Sequence, residues 1–269
     1  MLVSPLGFLI GVSLGALGGG GSILAVPVLV YVAGQGAKPA TATSLLLVGS
    51  AALVGMGVHH RAGRVRVGTG VVFGLAGIGG SIAGTALNRR LDPDALLLGF
   101  SVLILVAAWR MAVGCPTCTR VGEERALGQA PTGSGGVAIR SRVDAATVVK
   151  VLLAGTAVGF LTGLFGVGGG FVIVPALTLV LGMSMPEAIG TSLLVISINS
   201  AVALATRLGT STIDWGIAIP FTVAAILGVL TGKRIADRLD PKRSAHWFAA
   251  LLVGVAVYTA FQAGSKLLG

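Results

Sequence analysis

The sequence predicts an all-α, polytopic integral membrane protein built from two homologous repeats. Charge, apolar runs and an internal repeat carry that prediction. The 269 residues include 19 Lys or Arg and 9 Asp or Glu, only 10% charged, while 54% are hydrophobic. An ordinary soluble domain has about 25% charged residues, so this chain lacks the polar skin a soluble enzyme needs. It is also too apolar for disorder, and its two Cys exclude a disulfide scaffold.

Apolar runs cover roughly 5–37, 39–58, 67–88 and 93–109, then 151–186, 188–206, 215–232 and 244–265. Each is near or above the ~20 residues that cross a ~30 Å hydrocarbon core as a helix. The breaks hold the charge: His59 to Arg66, Asn88 to Asp92, and Lys233 to Arg243. Asp92-Pro93 and Asp240-Pro241 read as an N-cap followed by Pro at the first helical position. The first residues carry no positive n-region, so the first apolar stretch is expected to stay in the mature protein. Residues 110–147 are polar and read as a cytoplasmic linker between membrane repeats at 1–109 and 148–269.

A shift of 148 lays residues 11–93 on 159–241 without a gap, with 26 identities in 83 pairs. Gly11, Gly15, Gly18, Gly20, Gly21 and Pro27 fall on Gly159, Gly163, Gly166, Gly168, Gly169 and Pro175. Thr43-Ser44 falls on Thr191-Ser192, and Leu91-Asp92-Pro93 on Leu239-Asp240-Pro241. Chance does not align glycines, prolines and polar residues over such a length. Tandem duplication in the membrane is the usual construction of secondary transporters.

Four consecutive glycines, Gly18 to Gly21, interrupt the first run. Each costs about 1 kcal/mol relative to Ala within a helix, so the run is expected to break there. The pieces are too short to cross alone, and a re-entrant hairpin followed by three crossings inverts the second repeat. The charges test this. With non-crossing pieces, 14 basic residues lie on one side and 5 on the other; with four plus four parallel helices the split is 11 to 8. The positive-inside rule favours the inverted form. In both forms the linker is cytoplasmic and the termini lie outside. The net charge of +10 is thereby read as orientation, without nucleic acid.

The chemistry is expected at the glycine breaks. A dinucleotide reading of these glycines fails, because the flanks are membrane-length apolar runs. Gly11, Gly15, Gly159 and Gly163 suit close helix packing. A break before Ser22 or Gly170 also frees backbone N–H groups at a half-helix N-terminus, where the dipole favours an anion. The candidate substrate-binding residues are therefore Gly20, Gly21, Ser22, Gly168, Gly169 and Gly170. Thr43, Ser44, Thr191 and Ser192 add hydroxyls, and Asn199 is an amide deep in a helix. The apolar cores contain no Asp, Glu, Lys or Arg, so neither a catalytic cluster nor a metal site is expected, nor a cofactor. Cys115 and Cys118 form an isolated C-x-x-C, read as reduced and unliganded.

Two segments carry a family resemblance. Gly15-Ala16-Leu17-Gly18-Gly19-Gly20-Gly21-Ser22 through Pro27, and Gly163-Leu164-Phe165-Gly166-Val167-Gly168-Gly169-Gly170 through Pro175, resemble the paired glycine-rich motifs of the TauE/SafE sulfite exporters. Ala40 to Ser44 and Ala188 to Ser192 fit the downstream Ala-x-x-Thr-Ser pattern. The first motif departs from the second at Gly19 and Ser22, where the other has Val167 and Gly170. The resemblance implies a permease in the inner membrane of a bacterium or archaeon, exporting sulfite or another small sulfur-containing anion such as an organosulfonate. It leaves a passive anion channel as the alternative and leaves a homo-oligomer open. The partners so implied are the anion and the lipid bilayer.

Overall fold

A computed structural model of the chain describes residues 3–88, 99, 102–103, 105–110, 145–165, 170–205, 213–238, 246–254 and 257. Among the described residues the fold is helical and contains no strand. In chain order the elements are α1 (Val3–Leu17), α2 (Ser22–Tyr31), α3 (Ala37–Arg61), α4 (Val67–Asn88), α5 (Ala145–Phe165), α6 (Gly170–Pro175), α7 (Met185–Ala205) and α8 (Trp215–Arg238). Residues 105–110 and 246–254 are also helical.

Among the described residues, four helices are long and apolar enough to cross a membrane, over Pro39–Arg61, Val67–Leu87, Met185–Ala205 and Trp215–Ala236. The first run does not continue as one helix. α1 ends at Leu17, Gly18 takes a positive φ of 75°, and a 3₁₀ turn over Gly19–Gly21 leads into α2. A positive φ is sterically cheap only for glycine, which is why the chain turns at this residue. α6 runs into a π-helical turn over Ala176–Val180, directly after Pro175. Pro has no N–H to donate to the preceding turn, and the wider turn follows that gap. Asp92-Pro93, Asp240-Pro241, Cys115, Cys118 and almost all of the polar segment 110–147 lie outside the described residues.

Helices pair across the two halves of the sequence. α1 packs along α8, α5 packs along α4, and α3 crosses α7 at the centre. Glycines make the first two contacts close. A Cβ on Gly11 or Gly15 would collide with the Ala225 or Val229 carbonyl of α8. A Cβ on Gly159 or Gly163 would collide with the Gly77 or Ser81 carbonyl of α4. Backbone contact of this kind replaces the hydrophobic drive that lipid removes.

α7 is the most enclosed of the long helices: 61% of its apolar window is buried, against 33% for α4 and for α8. Leu75, Ile82, Ile219 and Leu227 point outward and are exposed, as a lipid-facing surface requires. Trp109, Trp215 and Trp247 are also exposed, and suit the membrane–water interface.

Several local features recur 148 residues apart. Gly34 and Gly182 both have positive φ, at 67° and 62°. Gln35 and Met183 donate their N–H to Leu29 and Leu177, at 3.0 and 3.1 Å. Ser44 and Ser192 donate to the carbonyls of Thr41 and Ile189, both at 2.8 Å. Phe73 and Phe221 are both buried.

Candidate functional site

The glycine break between α1 and α2 sits in the interior, and each glycine has its own neighbour. A Cβ on Gly18 would lie 2.7 Å from Ser192 Oγ and 3.4 Å from Ile189 Cα, so this residue abuts α7. Gly19 lies backbone against backbone with Gly170, the first residue of α6, and a Cβ there would overlap the Gly170 carbonyl. Gly170 faces the Ser22 hydroxyl and the Gly19 carbonyl in return. Gly20 faces Phe248 and Leu251, and Gly21 faces the backbone of Ile10 and Leu14 in α1. Gly18, Gly19 and Gly20 thus all meet the opposite half, and Gly19 does so backbone to backbone. Gly21 packs the start of α2 against α1.

Gly168 and Gly169 lie outside the described residues. Gly170, Ser22 and Ser192 are brought together with Gly18 and Gly19. Ser44 is buried near the start of α3 and holds the position that Ser192 holds in α7. The proton of Ser22 is directed to the Gly19 carbonyl at 2.7 Å, and those of Ser44 and Ser192 to carbonyls of their own helices. Each hydroxyl therefore has to turn, or accept, to meet a ligand. Asn199 lies seven residues beyond Ser192 in α7, ~10 Å along the axis. Its Oδ1 is enclosed and unpartnered among the described residues.

The two threonines differ. Thr191 Oγ1 accepts the backbone N–H of Arg66 at 3.1 Å. Thr43 Oγ1 is fully enclosed and has no hydrogen-bond partner among the described residues. Leaving a buried hydroxyl unpaired costs about 1–3 kcal/mol.

In the sequence Glu187 and Asp214 stand at the ends of apolar runs, with nothing to mark either as a site residue. The structure buries Glu187 and pairs it with Arg66, whose Nη2 lies 3.3 and 3.2 Å from the two carboxylate oxygens. The Arg66 loop thus grips the first two turns of α7 through a guanidinium on Glu187 and an amide on Thr191. Under the 148-residue shift Arg66 falls on Asp214 and Glu187 on Pro39, so the other half has no such charge pair at the matching positions. There, Asp214 caps α8 through Oδ1, which accepts the Gly216 N–H at 3.0 Å. Between it and the start of α3 lies a cavity of about 410 Å³ lined by Ala33, Gln35, Pro39, Ile213, Asp214 and Ile217, among others.

The family model described as Sulfite exporter TauE/SafE matches residues 3–259. The chain belongs to the TauE/SafE family. It is 32% identical over 265 residues to a probable membrane transporter protein of Xylella fastidiosa (strain 9a5c), covering 97% of this chain and 95% of that protein. It is 25% identical over 268 residues to the probable membrane transporter protein YdhB of Bacillus subtilis (strain 168), covering 95% and 98%. A probable membrane transporter protein of Haemophilus influenzae matches over 116 residues at 34% identity, 40% of this chain and 44% of that one. No solved structure gives a significant match. With its TauE/SafE membership and membrane-length helices, the chain is a multi-pass membrane transporter of the cell membrane and not an enzyme.

Proposed function

We propose that this TauE/SafE transporter is a secondary carrier for small sulfur-containing anions, sulfite or organosulfonates, held where the two glycine breaks meet. The observation that carries the reading is the contact of Gly19 with Gly170, with Ser22 and Ser192 beside it, at the centre of the fold. The first N–H groups of a helix have no intrahelical acceptor, and together with the dipole they attract negative charge. Gly20, Gly21, Gly168 and Gly169 belong to the same breaks, and supply backbone without side-chain bulk. Ser44 and Asn199 supply further polar groups in the central α3–α7 pair. The family description, a sulfite exporter, supports the anion class.

The two halves then run inverted. Support comes from the reciprocal pairing of α1 with α8 and α5 with α4, and from the 14-to-5 division of basic charge. In this arrangement the Arg66 loop and residues 110–147 lie on the cytoplasmic side, and Asp214 lies outside.

Sulfite uptake into proteoliposomes tests the site. Ser192→Ala is expected to raise the KM for sulfite about tenfold or more, the value of a hydrogen bond to a charged ligand. Ser197→Ala removes a similar hydroxyl, one bonded to the Leu193 carbonyl at 2.8 Å, and is expected to leave KM unchanged. Wild-type KM in the Ser192→Ala protein would refute a ligand role for that hydroxyl.

A further inference from the structure

We infer that Thr191 and Thr43 are the two catches of an alternating gate, and that the structure has the Thr191 catch closed and the Thr43 catch open. This rests on the carrier reading above.

The closed catch has three parts. The Arg66 amide donates to Thr191, the Arg66 guanidinium holds Glu187 one turn earlier on the same face, and Gly190 lets the loop backbone approach. A Cβ on Gly190 would lie 2.5 Å from the Arg64 carbonyl oxygen. Under the 148-residue shift, Thr191, Glu187, Gly190 and Arg66 become Thr43, Pro39, Ala42 and Asp214. Among the described residues these mirror positions make no hydrogen bond or ion pair with one another. Thr43 has no partner among the described residues, and the cavity separates Pro39 from Asp214. Thr43 lies one turn beyond Pro39 on the same face of α3 and is fully enclosed.

A buried threonine left unpaired at one end, while its mirror at the other accepts an amide, is what a two-position gate leaves behind. In the opposite state the Asp214 amide closes onto Thr43 and the Arg66 loop releases Thr191. The threonines of the two Thr-Ser pairs therefore face the gating loops. Ser192, one residue or about 100° further round the helix, remains with the glycine break at Gly18. The two catches are unequal, because Pro39 supplies no carboxylate and Ala42 already carries a Cβ.

Paired cysteines test this in the full chain, with Cys115→Ser and Cys118→Ser as background. An N···Oγ1 distance of 3.1 Å brings the Cα atoms of Arg66 and Thr191 within ~7 Å, the outer limit for a disulfide. Arg66→Cys with Thr191→Cys, and Asp214→Cys with Thr43→Cys, are each expected to form a disulfide that stops transport until it is reduced. In a protein bearing all four, no molecule should contain both disulfides. A Thr43→Val substitution in the Arg66→Cys/Thr191→Cys protein leaves the first pair intact and is expected to speed its cross-linking about fivefold, since one competing hydrogen bond is lost. Both disulfides in one molecule, transport through the cross-linked Arg66–Thr191 protein, or an unchanged rate with Thr43→Val would overturn the proposal. Cross-link exclusivity is read by mass spectrometry and needs no substrate, so a wrong choice of anion leaves this outcome intact.

Discussion

The two ends of the molecule use the same backbone in different ways. At one, the loop before α4 is fastened to α7 by an ion pair and an amide; at the other, Ile213 and Asp214, just before α8, stand across a cavity from the start of α3. Gly34 and Gly182, or the serine bonds to Thr41 and Ile189, are alike to within a few degrees or a tenth of an ångström. The difference lies in side chains: Glu187 against Pro39, Arg66 against Asp214, Gly190 against Ala42. The backbone frame is alike at the two ends, and the side chains at these few positions fasten only one of them.

The largest effect is expected at the point about which both ends would turn. Gly19→Leu drives a side chain into the Gly170 carbonyl and should cost more than about 3 kcal/mol, with loss of monodisperse protein on size exclusion. Gly57→Leu has nothing within 4 Å of the new Cβ and should leave thermal unfolding within about 1 kcal/mol of wild type.

Next come the mirror residues at the two ends. Gly190→Ala pushes the Arg64 backbone away and should weaken the closed end by about 1–2 kcal/mol, read as faster thiol labelling of an Arg66→Cys reporter. Ala42→Gly should cost no more than about 1 kcal/mol, the helix penalty alone, and leave that labelling unchanged. Equal effects on the reporter would erase the distinction between the ends.

Glu187→Gln follows. The Glu187 side chain is 11% exposed but that of Arg66 is 48% exposed, so the pair should contribute about 1 kcal/mol, nearer a surface bridge than a buried one. Conversely, Pro39→Glu with Asp214→Arg should give the open end a pair of its own and slow labelling of a cysteine at Ile217. The smallest effect is ionic. Raising salt from 0.1 to 1 M shortens the screening length from about 10 to 3 Å and should reduce the Glu187→Gln difference by a few tenths of a kcal/mol.

The break in the first run was legible because four glycines in a row cannot hold a helix, and the packing role of Gly11, Gly15, Gly159 and Gly163 because their spacing permits close backbones. Which glycines touch the other half was not legible. Gly19 and Gly170 break the match between the two motifs, yet they are where the two glycine segments touch backbone to backbone, with no room for a Cβ on Gly19. Membrane helices give little further help, because lipid-facing and protein-facing residues are both apolar and leave no periodic signal. The Arg66–Glu187 pair spans 121 residues, and a carboxylate in a first turn reads from sequence as a solvated end. Only packing shows that this one is enclosed.

The most direct test of a carrier with two alternating ends is counterflow of radiolabelled sulfite in proteoliposomes. Vesicles preloaded with unlabelled sulfite should take up label saturably and transiently above equilibrium, and chloride inside should give no such overshoot. Uptake that rises linearly with concentration and ignores the internal anion would mean an open pore, and would contradict the account.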